Sequence, residues 1–96
     1  MHKVDIHIEE VAQYPDIVMV RINGPLDTVA SYEFHEKMER LVKNGVYKFI
    51  VNLENLDYIS SAGIGVFPGM AIELQKNKGG LVFMKVSSKI YKLFDM

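Results

Sequence analysis

Tyr47 to Leu53 read YKFIVNL, a nearly continuous apolar run set between two stretches of helical spacing. A strand with one wet face alternates apolar and polar residues, so a run with so little alternation predicts a strand covered on both faces and central in its sheet. Such a strand needs helices to cover it, and the flanking sequence supplies them. From Thr28 to Asn44 the apolar residues Ala30, Phe34, Met38, Leu41 and Val42 recur at helical spacing. That pattern predicts an amphipathic helix with Asp27 or Thr28 as its cap and Gly45 beyond its end. Val66, Met70 and Leu74, with Phe67 and Ala71, mark a second helix that Gly79 and Gly80 end.

The remaining segments complete an alternating order. Val4, Ile6 and Ile8 alternate with Asp5, His7 and Glu9, the period of an edge strand with one wet face. Tyr14-Pro15-Asp16 reads as a turn, IVMVRI from Ile17 to Ile22 as the hairpin partner, and Asn23-Gly24-Pro25 as its end. Leu81 to Val86 is a further strand, and Ser88 can cap a short last helix carrying Ile90, Leu93 and Phe94. The expected fold is α/β: an opening β-hairpin, then alternating helices and strands, in a mixed sheet of four or more strands with helices packed on it. The chain has 96 residues, 49% of them apolar and 24% charged, which suits one globular domain over residues 1–96. Pro68 falls inside the second helix; the first turn tolerates proline, but farther in it costs about 3 kcal/mol or kinks the helix.

Composition removes several classes of function. Eleven Lys and Arg against twelve Asp and Glu leave a formal charge of −1, so no net field draws the chain to nucleic acid or anionic lipid. The absence of cysteine excludes disulfides, thiolate metal sites and a cysteine nucleophile, and fits a reducing compartment. The opening MHKVDIHIEE has no continuous apolar run, and no segment reaches transmembrane length, so the chain reads as cytoplasmic without membrane insertion. His2, His7 and His35 lack metal-ligand spacing and read as surface residues. No metal, cofactor or enzymatic activity is expected.

One junction holds more small residues than packing needs. Ile59 to Gly65 read ISSAGIG at the start of the second helix. Gly63-Ile64-Gly65 begins a dinucleotide fingerprint, but Pro68 holds the third glycine position and no Walker sequence occurs. A hydrolase elbow needs glycine two residues before the serine, where Tyr58 and Ile59 stand. A helix cap by Ser60 or Ser61, worth about 1 kcal/mol, uses only one hydroxyl. Ser60, Ser61, Ala62, Gly63 and Gly65 together predict a flat surface that a partner's backbone can approach. Tyr58 and Phe67 flank it, as partner anchors or as core residues. Met19, Met38, Met70 and Met84 read as core filler.

The string FIVNLENLDYISSAGIGVF, with the hairpin ending in NGPLD, the Gly-Gly and the helix VSSKIYKLF, resembles the STAS domain family, in particular the bacterial anti-sigma factor antagonists. The resemblance covers most of the chain. It implies a domain that binds a kinase-type anti-sigma factor and is switched off when that partner, using its own bound ATP, phosphorylates a loop serine. The acceptor lies two residues before the first glycine of the Gly-Leu-Gly element, a position that matches Ser61, with Ser60 as the alternative. Asp27 matches an acidic residue near the acceptor, and partner contact is implied for Asp27, Tyr58, Ser60, Ser61, Ala62, Gly63 and Gly65. Three residues depart from the usual pattern: Asn52 and Ser60 stand where Asp is common, and Pro25 where Glu is common. Many members continue past the position of Met96, so the C-terminal end is expected to be short relative to the family. The resemblance leaves other roles open: an interaction module of a signalling complex or transport system in which Ser61 is never modified, or a lipid or nucleotide accessory domain. It leaves dimer formation open as well.

Overall fold

The structure, a computed structural model, describes residues 3–94. The element order is β1 (Asp5–Val11), β2 (Tyr14–Leu26), α1 (Thr28–Lys43), β3 (Lys48–Asn52), β4 (Leu56–Ile59), α2 (Ser61–Lys76), β5 (Gly80–Met84) and α3 (Ser88–Phe94). The sheet runs β1-β2-β3-β5, and β4 joins the far end of β2. β1 and β2 pair antiparallel, whereas β2–β3, β3–β5 and β2–β4 are parallel, so the sheet is mixed as the hairpin and crossovers predict. His2 lies outside the described residues.

The central place of β3 is observed; its cover on both faces is not. Register puts Phe49 and Val51 on the face of Val18 and Val20, where they join the buried cluster with Phe34 and Met38 of α1, Phe67, Met70 and Leu74 of α2, and Ile90 of α3. On the other face Ile50 is only half-buried, its neighbour Val82 of β5 is exposed, and Lys48 is exposed. The apolar run therefore reports a strand flanked by strands, with one helical layer rather than two. Asn52 ends it, buried, its side-chain oxygen accepting the Glu54 N–H at 2.9 Å.

The expected boundaries of β2 move at both ends, and β5 ends at Met84 rather than Val86, where Lys85 turns into the left-handed region at φ 56°. The hairpin turn is Ala12-Gln13, and Tyr14-Pro15-Asp16 already belong to the strand. Pro15 is accepted there because pairing with β3 starts only at Ile17, so no ladder bond needs its missing N–H. At the other end, Asn23-Gly24-Pro25 does not stop the strand. Gly24, at φ 95°, absorbs a bulge and donates its N–H to Asn55 O at 2.9 Å, after which β2 leaves β3 and pairs with β4. β4 itself, LDYI, is too short to show a period, and no strand was expected there.

Candidate functional site

The switch of β2 from one neighbour to another brings two helix starts together. Leu26 and Ile59 are register partners, and the Ser60 N–H donates to Leu26 O at 2.9 Å. Asp27 and Ser60 are each the next residue along, so the N-termini of α1 and α2 emerge side by side, with Ser61 the first residue of α2. Each helix has its own cap. Asp27 Oδ1 accepts the Ala30 N–H at 2.8 Å, and Ser60 Oγ accepts the Gly63 N–H at 3.0 Å.

The two serines therefore differ. Ser60 is 7% exposed, extended at φ −82° and ψ 168°, with its hydroxyl committed to the cap. Ser61 is the first residue of α2, exposed, and its hydroxyl takes no part in that cap. The first-turn N–H groups of Ser61 and Ala62 have no acceptor within the helix, and two positive helix ends converge on this spot. An anion attached to Ser61 would meet free donors and favourable dipoles.

The expected flat surface of small residues is narrower than its sequence. Gly63 is buried: a Cβ there would lie 2.9 Å from Ile59 Cγ1 and 3.1 Å from Leu26 O, so this glycine lets α2 start against the end of β2. With Ser60 also buried, the accessible part is Ser61, Ala62 and Gly65. Two hollows flank it. One, of about 370 Å³, is lined by Tyr58, Ile59, Ser61, Ile64 and Leu93. The other, of about 350 Å³, lies between the helices and is lined by Ser31, Tyr32, His35, Ala62, Gly65, Val66 and Gly69. Tyr58 is half-exposed at the rim of the first, whereas Phe67 is a core residue, 5.5 Å from the Phe34 ring and 5.0 Å from the Phe83 ring. Phe67 is thus no partner anchor.

A family model described as the STAS domain matches residues 10–96. The chain belongs to the STAS domain family. The anti-sigma-B factor antagonist of Staphylococcus epidermidis is 31% identical over 93 residues, covering 97% of this chain and 85% of that relative. Among solved structures, the anti-sigma factor antagonist SpoIIAA in its unphosphorylated form aligns with a TM-score of 0.79 at 27% identity, covering 95% of this chain and 82% of that one. The phosphorylated form of the Bacillus cell fate determinant SpoIIAA aligns with a TM-score of 0.78 at 26% identity, covering 95% and 81%.

Several residues beside Ser61 in this STAS domain were not singled out by sequence. Ile64 and Leu93 come from different helices, and only the packing of α3 against β4 brings them to one hollow. Lys89, one turn before Leu93, donates to Asp57 O at 3.3 Å and closes the same side. Tyr32 stands on α1 with His35 beside it in the second hollow, and two exposed apolar residues one turn apart, Val29 and Tyr32, were the available signal. His35 is also 3.3 Å from Glu39 one turn on.

Proposed function

We propose that this STAS domain is a cytoplasmic anti-sigma factor antagonist, a binding protein without catalysis of its own, which controls transcription by partner switching. It binds a kinase-type anti-sigma factor through Asp27, Tyr58 and the accessible small residues at the start of α2. It lets go when the partner, holding ATP, phosphorylates Ser61. The observation that carries this reading is the division of labour between adjacent serines: Ser60 is buried in the cap, and Ser61 is exposed at the helix start. The names of the S. epidermidis relative and of SpoIIAA support the role. That SpoIIAA is known in phosphorylated and unphosphorylated forms, which fit this chain equally well, supports a modification compatible with the fold.

The energetics suit such a switch. A phosphate adds roughly −1.5 to −2 charge, which the helix end accommodates, so the domain stays folded. A bulky dianion beside Asp27 nevertheless replaces a small hydroxyl on the docking face, and about 1.4 kcal/mol of lost contact weakens binding tenfold. Asn52, where Asp is common, is buried and holds the chain after β3, and a neutral side chain there leaves less acidity around the acceptor than an Asp would.

The test mixes the protein with ATP and a histidine-kinase-like anti-sigma factor and maps phosphate by mass spectrometry. Phosphate is expected on Ser61 alone. Ser61→Ala should keep its affinity and Ser61→Asp should lose roughly tenfold or more, by the same arithmetic. Phosphate on Ser60, or equal affinity of the two variants, would refute the proposal; stable binding without modification would leave an interaction module in which Ser61 is only a surface residue.

A further inference from the structure

α2 carries two glycines that no contact inside the chain requires. Gly63 is fixed by its packing against the end of β2, but a side chain on Gly65 or Gly69 would meet nothing within 4 Å beyond its own helix, and neither residue has a positive φ. Glycine within a helix is less stable than alanine there, and Pro68 between them weakens the helix again. Three of the five residues from Gly65 to Gly69 thus work against α2, and all three are exposed. Bare backbone at a surface suits the close approach of another backbone. Ala62, Gly65 and Gly69 also follow one another at the three- and four-residue steps along which helices pack ridge into groove.

The surroundings describe what approaches. From Ser61 to Ile72 α2 has no charged side chain. Across the hollow between the helices, Tyr32 of α1 is 68% exposed, and Val29 one turn before it is exposed too. Exposed apolar surface of this extent marks an interaction site. Charge gives the sign of the rest. Segments 23–36 and 49–75, which supply both helices at the hollow and the strands leading into them, hold Asp27, Glu33, Glu36, Glu54, Asp57 and Glu73 and no Lys or Arg. Glu36 is paired with Arg40 and Glu54 with Lys85, whereas Asp27, Glu33, Asp57 and Glu73 are in no ion pair among the described residues.

We propose, on the reading of the Ser61 face as the docking face, that the hollow between α1 and α2 is a second anchor for the same anti-sigma factor, receiving a large apolar side chain from a helix with basic flanks. The hollow is continuous with the docking face through Ala62 and Gly65. The partner helix crosses α2 at Gly65 and Gly69, its apolar side chain enters beside Tyr32 and His35, and its basic residues meet Asp27 at one end and Glu73 at the other. Gly69 lies eight residues beyond Ser61, which is about 12 Å along the helix axis. A phosphate on Ser61 does not reach that far, so the anchor contributes equally to the modified and the unmodified protein.

Gly69→Leu fills the hollow from α2, and Tyr32→Ala removes its wall on α1. Gly69→Leu should melt at or above the parent temperature, as a better helix former on an exposed face. Affinity for the histidine-kinase-like anti-sigma factor is read by calorimetry. Each variant should bind roughly fivefold or more weakly, the effect of losing an interface anchor. Gly69→Leu should weaken the Ser61→Asp form by the same factor as the parent, as separated sites do, and binding of the parent should weaken as salt rises. Parent-like binding of either variant, a lower melting temperature for Gly69→Leu, unequal factors in the two forms, or binding indifferent to salt would each overturn the anchor. The docking face itself survives those results as long as Ser61→Asp binds less well than Ser61→Ala; if the parent protein binds no such factor, anchor and docking face fall together.

Discussion

At residue scale the central fact is that two neighbouring serines differ in placement: Ser60 is buried in the cap of α2 and Ser61 is exposed. Ser60 satisfies one of the donors that every helix start leaves unpaired, and it does so inside the protein. Removing its oxygen leaves the Gly63 N–H buried without a partner. Ser60→Ala is therefore expected to lower stability by about 1 to 2 kcal/mol, whereas Ser61→Ala should stay within about 0.5 kcal/mol of the parent. Urea melts of both variants decide the matter; equal losses would show that the cap is not where the stability lies. The comparison also protects the phosphorylation test, because an effect of Ser61→Ala on partner binding is then not a folding defect.

At the scale of elements, α2 carries a proline in its interior. Pro68 is the eighth residue of a helix that begins at Ser61, beyond the turn where proline is harmless. It withholds a hydrogen bond from Ile64 O, yet the helix runs on to Lys76. Pro68 is exposed, so replacing it removes no core packing. Pro68→Ala is expected to raise stability by about 1 to 3 kcal/mol, read as a higher melting temperature, and a lower one would mean that the proline fixes a bend on which α2 depends. Both amphipathic helices, the hairpin and the strand YKFIVNL were legible because their apolar spacing is set by burial within each element. What was not legible depends on partners remote in sequence. The continuation of β2 past Gly24 needs Asn55 and β4, the burial of Gly63 needs the end of β2, and the hollow beside Ser61 needs α3. The open second face of β3 was misread because being flanked by strands and being covered by helices leave the same apolar run.

For the whole molecule, two surface ion pairs tie the ends of the sheet together: Asp16 with Lys48 at 2.9 Å, across β2 and β3, and Glu54 with Lys85 at 2.7 Å, across the turns after β3 and β5. The hydrogen bond from Lys48 holds the Asp16 carboxyl below its ordinary value, and that from Lys85 does the same for Glu54. A carboxyl lowered on folding stabilises the fold at pH above its unfolded value, and that contribution fades as pH falls through the lowered folded value. The parent should thus be more stable than Asp16→Asn/Glu54→Gln at neutral pH, and the gap should close in strong acid. Both pairs are exposed, so the gap is small and shrinks with salt. Denaturant melts at neutral and strongly acidic pH check the sign, and a gap that persists in acid would mean that the pairs act by packing.

The adjacency of a buried cap and an exposed hydroxyl also bears on how such a domain can diverge. If Ser61 is the phosphoacceptor, as proposed, fold and regulation rest on different side chains, and a single substitution at Ser61 produces a permanently active form without penalising folding. A change at Ser60 has no such freedom. On that reading a lineage can acquire or discard control at a single position, while the residue beside it stays under selection for the structure alone.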